Sequence, residues 1–533
     1  MPEVESVEFI VEAIPAAPVF PIDDPRTVDQ GYLNTAALGV DSRYAWERPG
    51  GDGEFASVVD VEWDWLLDHE DLAAANISII NPPLQRHSNT LYTDHGTAVM
   101  GEIFMVDNTK GGVGIAPKAR ARVSQVKENV IDAGLNAIFA AIDKMEFGEI
   151  MLIEMQASAD TTVGSRQSPI EVYERDFQAL RLATALGITV IEAGGNGGHD
   201  LDNPISVNGL PPRRSLNRNH ADFRDSGAIV VGGSTKEVPH RRREGTGGDN
   251  EATNFGNRID AYSWFEGIVT TAFSAQSNAA YQDGFGGTSG ASPIVAGVAA
   301  VIQSMVQANL GFKISPLQMR RLIIMSGTST ANPAFDKLGL MPNLRGLIDG
   351  QYLHLPPDVY VRDVVGDDGN PRSGAITYAS PDIITRQTQV ANPTAQFGAG
   401  SGQENNDALS QTVLEGRENF IYIRARNRGS RTAQQVFADV YWTEASTVLN
   451  HNQESWRPVG RTMFSSGVGN VLTVSNALRW QAPAGVRDPI LIAILGAEED
   501  PATMPPEANF PSTVELSRFF HQNNNVAGKG TRT

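Results

Sequence analysis

The chain has 533 residues, too many for one hydrophobic core, so two or three domains are expected. Apolar residues make up 41% and charged residues 20%, the make-up of a soluble globular protein, while a formal charge of −20 argues against nucleic acid, whose phosphates it would repel. Cysteine is absent, which removes disulfides, thiolate catalysis and cysteine-ligated metal. The N-terminus, Met1-Pro2-Glu3-Val4-Glu5, is acidic where a secretion signal would be basic, and the longest apolar run, 293–302, is short for a membrane span. The expectation is a soluble protein with no membrane partner, cytoplasmic or exported.

In chain order, residues 1–45 are rich in proline and short apolar pieces, which predicts an extended N-terminal arm along a surface. From 46 to 350 short β-branched runs alternate with helical stretches. Strands are predicted at 56–61, 122–126, 150–155, 189–193 and 228–232, and helices at 95–105, 130–144, 170–186 and 316–325. That alternation predicts an α/β domain, a parallel sheet with helices on both faces. Stretches rich in Gly, Asn and Asp at 194–203 and 246–257 read as surface loops. Near His354-Leu355-Pro356-Pro357 the texture changes. Runs such as Phe420-Ile421-Tyr422-Ile423-Arg424-Ala425-Arg426 and Ile490-Leu491-Ile492-Ala493-Ile494-Leu495, with turn residues between and no amphipathic helix, predict an all-β antiparallel sandwich over 355–533. The polar tail from Gln522 reads as frayed.

Four motifs inside 46–350 carry chemistry. Gly286-Gly287-Thr288-Ser289-Gly290-Ala291-Ser292-Pro293 sets a serine among small residues where a buried helix begins, with free N–H groups and the positive end of a dipole beside it. Asp94-His95-Gly96-Thr97-Ala98-Val99-Met100-Gly101 places a histidine at a helix start, with glycines spaced for close packing. Val190-Ile191-Glu192-Ala193-Gly194-Gly195-Asn196 ends a strand in a glycine cluster presenting one carboxamide. Val58-Val59-Asp60-Val61-Glu62 ends a strand in carboxylates. Taken singly, each has a plain reading: an N-cap, a structural histidine, a turn, a solvated edge.

Together, in this order, they resemble the subtilisin-like serine protease family, the subtilases. Ser289 lies in a Gly-Thr-Ser-x-Ala-Ser-Pro match and His95 in a His-Gly-Thr-x-Val-x-Gly match, and Gly111-Gly112-Val113-Gly114-Ile115-Ala116-Pro117 repeats a further family segment. Asn196 falls in an Ala-x-Gly-Asn segment, and Ile153-Glu154-Met155-Gln156 looks like the family's substrate-flanking strand. The resemblance implies a serine endopeptidase acting on extended polypeptide. Ser289 would be its nucleophile, His95 its general base and Asn196 an oxyanion donor. Substrate would lie near Gln156, Ala157, Ser158 and Gly194, and the chemistry would need no cofactor.

The acid departs from the family pattern, since no Asp-Ser/Thr-Gly is present. His69-Glu70-Asp71-Leu72 resembles a family quartet that follows the acid by seven residues, and this spacing favours Glu62. The strand texture Ala56-Ser57-Val58-Val59-Asp60 favours Asp60. Both side chains share one face of a strand, and both stay candidates. Asp71 and Asn108 occupy positions like those of a stabilising calcium site in the family, so a structural calcium ion is an expectation, beside the plain reading of a hydrated loop. The altered acid, and Gly290 where the family has Met, motivate an alternative: a degenerate scaffold acting as a binding protein. In the C-terminal region Arg424, Arg426, Arg428 and Arg431 form a basic cluster that reads either as a contact for acidic partners or as a solvated face.

Overall fold

The computed structural model describes residues 19, 21–245, 252–350, 357–372, 376, 378–429, 431–444, 456–500 and 512–532. Most of the predicted arm, residues 246–251 of one predicted loop and His354 to Pro356 of the predicted boundary lie outside them.

The α/β region is organised by one sheet of seven parallel strands. They are β1 (Ser57–Glu62), β2 (Ser78–Ile79), β3 (Arg120–Gln125), β4 (Ile150–Ile153), β7 (Thr189–Ala193), β8 (Ile229–Ser234) and β9 (Ala261–Trp264), in the order β2-β3-β1-β4-β7-β8-β9. Alternating residues face opposite layers, as a strand's period of two requires. Val58, Ile150, Leu152 and Ile191 pack under the helices α2 (Thr90–Phe104) and α5 (Thr288–Leu310). Val59, Val61, Met151, Ile153 and Val190 pack under α3 (Ala133–Lys144) and α4 (Glu174–Ala185). Two antiparallel hairpins, β5–β6 (Gln156–Thr161, Gly164–Pro169) and β10–β11 (Ile268–Ser274, Ser277–Phe285), stand outside the sheet. The helix α6 (Pro316–Met325) opens on a capping box, with Ser315 and Gln318 exchanging side-chain and backbone bonds. By length and composition α5 could cross a membrane, but the apolar window is wholly buried in this core.

The described part of the arm is not an extended surface strap. Tyr32 and Leu33 are fully buried in the main core, the short helix α1 (Ser42–Trp46) follows, and the Trp264 indole donates to the Leu38 carbonyl at 2.9 Å.

The C-terminal region is the expected antiparallel sandwich. One sheet is built around Glu418–Asn427, and the other runs Arg457–Met463, Phe437–Glu444, Pro489–Gly496, Val526–Gly530. Two expectations are corrected here. The tail contributes the edge strand Val526–Gly530, held by its ladder to Pro489–Gly496, rather than fraying. An amphipathic helix, Thr513–Gln522, is present, N-capped by Ser512. It explains why Pro489–Gly496 is buried along its whole length. Leu491, Ala493 and Leu495 face the sandwich core, while Ile490, Ile492 and Ile494 join Leu516, Phe519 and Phe520 against the α3 and α4 layer. Arg518 clamps the contact by donating to the carbonyls of Ile142 and Met145 at 2.7 and 2.6 Å.

The arginine cluster is not a free basic surface. Arg424 is fully buried against Asp382, Arg428 pairs with Asp358 at 2.5 Å, and Arg431 pairs with Glu499 at 2.9 Å. Arg426 is hydrogen-bonded to Tyr360. Three of the four charges are matched by acids inside the fold and the fourth is held by a phenol, which leaves little for an acidic partner.

Candidate active site

Three adjacent strands, β1, β4 and β7, end side by side, and the residues at or just past their C-terminal ends are Glu62, Glu154 and Asn196. The carboxyl ends of parallel strands are where such sheets leave a crevice. A cleft of about 600 Å³ opens there, lined by Glu62, His95, Glu154, Gln156, Ser158 and Asn196 among others.

The histidine arrives on α2. Asn89 caps that helix by accepting from the Leu91 N–H at 3.1 Å, so His95 lies more than a turn inside it, not at its start. Gly96 lets the helix come close: a Cβ there would fall 2.3 Å from the Asp64 carbonyl oxygen and 2.8 Å from Glu62 Cγ. The carboxylate of Asp64 pins the same turn, accepting from Thr93 Oγ1 at 2.6 Å and the His87 N–H at 3.0 Å. Gly101 gives a second close approach, to Thr270 and Thr271, whose hydroxyls donate to the carbonyls of Ala98 and Thr97 at 2.6 Å.

This approach separates the two carboxylates. His95 Nδ1 lies 2.6 Å from Glu62 Oε2, and Glu62 Oε1 accepts the Trp63 N–H at 2.9 Å. Asp60 Oδ2 instead accepts the Trp65 indole N–H at 2.7 Å, and its Oδ1 is buried without a partner. Burial, and then the neighbouring Glu62 charge, push the Asp60 carboxyl well above the ordinary range. Burial alone would lower the His95 imidazole, but the charge and hydrogen bond of Glu62 outweigh it and hold the ring at about 9. A third carboxyl, Glu154, accepts from Ser292 Oγ at 2.7 Å and is pushed well up by burial. The sequence placed Glu154 on a flanking strand but gave it no role.

Asn196 and Ser289 are joined through the start of α5. Thr288 N–H and Thr288 Oγ1 each donate to Asn196 Oδ1 at 2.8 Å. A backbone N–H can only donate, so this bond fixes which end of the carboxamide is oxygen and turns Nδ2 elsewhere. Gly287 precedes at φ 86°, and a Cβ there would sit 3.1 Å from Asn196 Nδ2 and 3.6 Å from the Ser289 N–H nitrogen. The missing side chain therefore leaves a space that two N–H donors flank. Ser289 is the second residue of α5 and 2% exposed. Pro293, four residues on, has no N–H, so the Ser289 carbonyl lacks its usual helical donor. The His95 ring meets Phe285, just before this turn, edge to face at 5.5 Å.

Of the expected substrate-flanking residues, Gln156 and Ser158 line the cleft, and Gln156 Oε1 holds the Asn196 N–H at 2.7 Å. Ala157 is turned inward at 3% exposed, and Gly194 is buried with its N–H on Val231 and its carbonyl on Asn254. Neither supplies a side chain or, for Gly194, a free backbone group to the cleft. The expected calcium pair sits in an acid-rich corner. Asp71 Oδ2 accepts the Gly112 N–H at 3.1 Å while Oδ1 is buried and unpartnered. Carboxylate oxygens of Asp23, Asp24 and Asp107 lie within 4.8 Å of one another, and Asp24 Oδ1 accepts the Asn108 N–H at 3.2 Å.

The fold and site define an α/β protein whose parallel sheet brings an acid–imidazole pair and a carboxamide to adjacent strand ends, with Ser289 following the Thr288 that is bonded to that carboxamide. The sequence model of the subtilase family matches residues 51–339, more than half of the chain. The chain belongs to the subtilase family. It is 27% identical over 342 residues to an extracellular protease of Xanthomonas campestris pv. campestris, covering 58% of this chain and 53% of that one. It is 26% identical over 292 residues to an intracellular serine protease of Paenibacillus polymyxa, covering 52% of this chain and 76% of that one. The chain thus spans about half the length of the first relative, and the two names place those relatives on opposite sides of the cell boundary. A crystal structure of a cold adapted subtilisin-like serine proteinase aligns with a TM-score of 0.38 at 18% identity, covering 55% of this chain and 88% of that one.

Proposed function

We propose that this protein is a serine endopeptidase that hydrolyses peptide bonds in extended polypeptide. The observation that carries the reading is the 2.6 Å bond from His95 Nδ1 to the buried Glu62, which leaves Nε2 as the ring's basic nitrogen. Ser289 Oγ attacks the substrate carbonyl carbon, and His95 Nε2 takes the hydroxyl proton as the C–O bond forms. Glu62 holds the imidazole in the tautomer that can do this and offsets the charge of the imidazolium. The oxygen of the tetrahedral intermediate enters the space beside Gly287, where Asn196 Nδ2 and the Ser289 N–H donate to it. His95 returns its proton to the leaving amine as the C–N bond breaks. Water then repeats the sequence on the acyl-enzyme, releasing the acid and restoring Ser289.

Asn196 supplies one of the two oxyanion donors in this reading. Asn196→Ala is expected to lower kcat by about 10² to 10³ while KM stays within about threefold, because the donor acts on charge that exists only after attack. Steady-state kinetics on a quenched peptide check this, and a fall in kcat below fivefold would contradict it. The alternative, a degenerate scaffold that only binds polypeptide, predicts no turnover in the wild-type protein.

A structural calcium ion is part of the same proposal. Buried, unpartnered carboxylate oxygens on Asp71 and Asp24 are the hard donors such an ion takes, and Asn108 lies beside them. Bound calcium would tie the arm to the loop after α2. Chelation by EGTA is then expected to lower Tm by about 5 °C, and an unchanged Tm would count against the ion.

A further inference from the structure

The two walls of the cleft differ in chemistry. On the histidine side Trp63 stacks on Tyr92, with ring centroids 5.0 Å apart and planes at 26°, and Tyr92 meets His87 at 4.5 Å. Trp63 is held from both ends of its peptide unit, its N–H on Glu62 and its carbonyl accepting from Gln125 Nε2 at 2.8 Å. Tyr92 is 37% exposed, and the stack, whose Trp63 also packs against the α3 and α4 core, presents an apolar face to the cleft. It is also placed by sequence: Tyr92 lies three residues before His95 on one helix, and Trp63 directly follows Glu62.

The opposite wall is the hairpin β5–β6, which contributes Ser158, Ser165, Arg166 and Gln167. Arg166 is the one arginine or lysine among the lining residues. Its Cβ lies 3.0 Å from where a Cβ on Gly197 would fall, which puts it against the residue that follows Asn196. Its guanidinium donates to the neighbouring Ser165 carbonyl at 3.1 Å and is paired with no carboxylate among the described residues. The two acids that line the same cleft are engaged elsewhere, Glu62 by His95 and Glu154 by Ser292. In a chain of net charge −20, where most arginines are matched to acids, this one is left facing a cleft.

A peptide lying extended through the cleft between these two walls would place successive side chains on opposite sides. The residue whose carbonyl carbon meets Ser289 sits beside Asn196 and Gly197, so its side chain falls on the hairpin wall by Arg166. The residue before it then points to the wall of Trp63 and Tyr92. We propose, on the basis of the peptidase reading above, that the cleft selects an apolar or aromatic residue followed by an acidic one and cleaves after the acidic residue. A carboxylate side chain would pair with the guanidinium, and a lysine in its place would set two cations together with no acid between them. An aromatic or branched apolar side chain would cover the Trp63–Tyr92 face and displace water from it.

Four internally quenched peptides that differ only at these two positions, Phe-Glu, Phe-Lys, Ala-Glu and Ala-Lys, test this, with the cut located by mass spectrometry. The expected result is cleavage after Glu, with kcat/KM for Phe-Glu about 30-fold above Phe-Lys and about tenfold above Ala-Glu. Arg166→Glu is expected to invert the Glu-to-Lys ratio while the Phe-to-Ala ratio persists. Trp63→Ala should collapse the Phe-to-Ala ratio while the Glu-to-Lys ratio persists, and Tyr92→Ala gives the same readout without altering the neighbour of Glu62. Equal cleavage of all four peptides, or ratios that Arg166→Glu and Tyr92→Ala leave unmoved, would overturn the inference while leaving the peptidase reading intact. If none of the peptides, and no unstructured protein substrate, were cut by the wild-type chain, the peptidase reading itself would fall, and the inference with it.

Discussion

Ser289→Ala is expected to lower kcat by about 10⁶-fold, the scale for a nucleophile that acts as a unit with its base. The nearby hydroxyls are engaged elsewhere: Ser292 is committed to Glu154 and to the Thr288 carbonyl at 2.6 Å, and Ser158 and Ser165 on the hairpin wall are bonded to each other at 3.1 Å. KM should change little, because in the proposed mechanism the substrate is held by the cleft walls rather than by the hydroxyl. The fold should also survive, since α5 is anchored by its buried face and by Thr288 on Asn196. A residual rate above water would remain from the oxyanion donors. Active-site titration with a burst substrate separates this outcome from contamination: the variant should show no burst. Retention of a tenth of wild-type kcat would place the nucleophile elsewhere.

The second large effect distinguishes the two carboxylates. Glu62→Gln is expected to lower kcat by about 10⁴, as the loss of a triad acid does, because an amide can no longer accept from Nδ1–H without turning and offers no charge to the imidazolium. Asp60→Asn should stay within about tenfold of wild type, since an amide oxygen still accepts from the Trp65 indole and burial already disfavours charge on the carboxyl it replaces. The pH profile reads the same assignment. With its proton on, the imidazole cannot accept one from Ser289, so activity requires deprotonation of His95. The ring is held at about 9, so kcat/KM should rise with pH and level off above that value. Glu62 supplies the two largest effects that raise the ring and Asp60 the smallest of those that do, so the rising limb should move to lower pH in Glu62→Gln and by much less in Asp60→Asn. A limb that moves in Asp60→Asn instead would exchange the two roles.

The serine, histidine and asparagine were legible because each stands beside a glycine with a specific steric duty. Gly287 takes a positive φ and leaves space beside two donors, and Gly96 lets α2 close on β1. Such duties leave a local mark in the sequence. The acid left none. Positions 60 and 62 share one face of β1, and only the seating of α2, a tertiary fact, brings His95 to one of them. The start of that helix was misplaced although Asn89 before Thr90 is a capping signal, because the motif drew the reading to His95 itself. Arg424 and Arg428 looked like part of a surface because their partners, Asp382 and Asp358, are remote in the chain. The C-terminal helix did leave a mark: Leu516, Phe519 and Phe520 have helical spacing behind the cap Ser512. The edge strand Val526–Gly530 did not, since Gly528 and Gly530 are poor strand formers and hold their place through pairing with Pro489–Gly496.

In the proposed mechanism His95, held by Glu62, makes the hydroxyl at position 289 nucleophilic. Reaction with a fluorophosphonate, followed by peptide mapping, reads it most directly. One adduct on Ser289 is predicted in the wild-type protein, forming faster as pH rises toward 9 and slowed at least a thousandfold in His95→Ala. No adduct, an adduct on another residue, or an equal rate in His95→Ala would contradict the account.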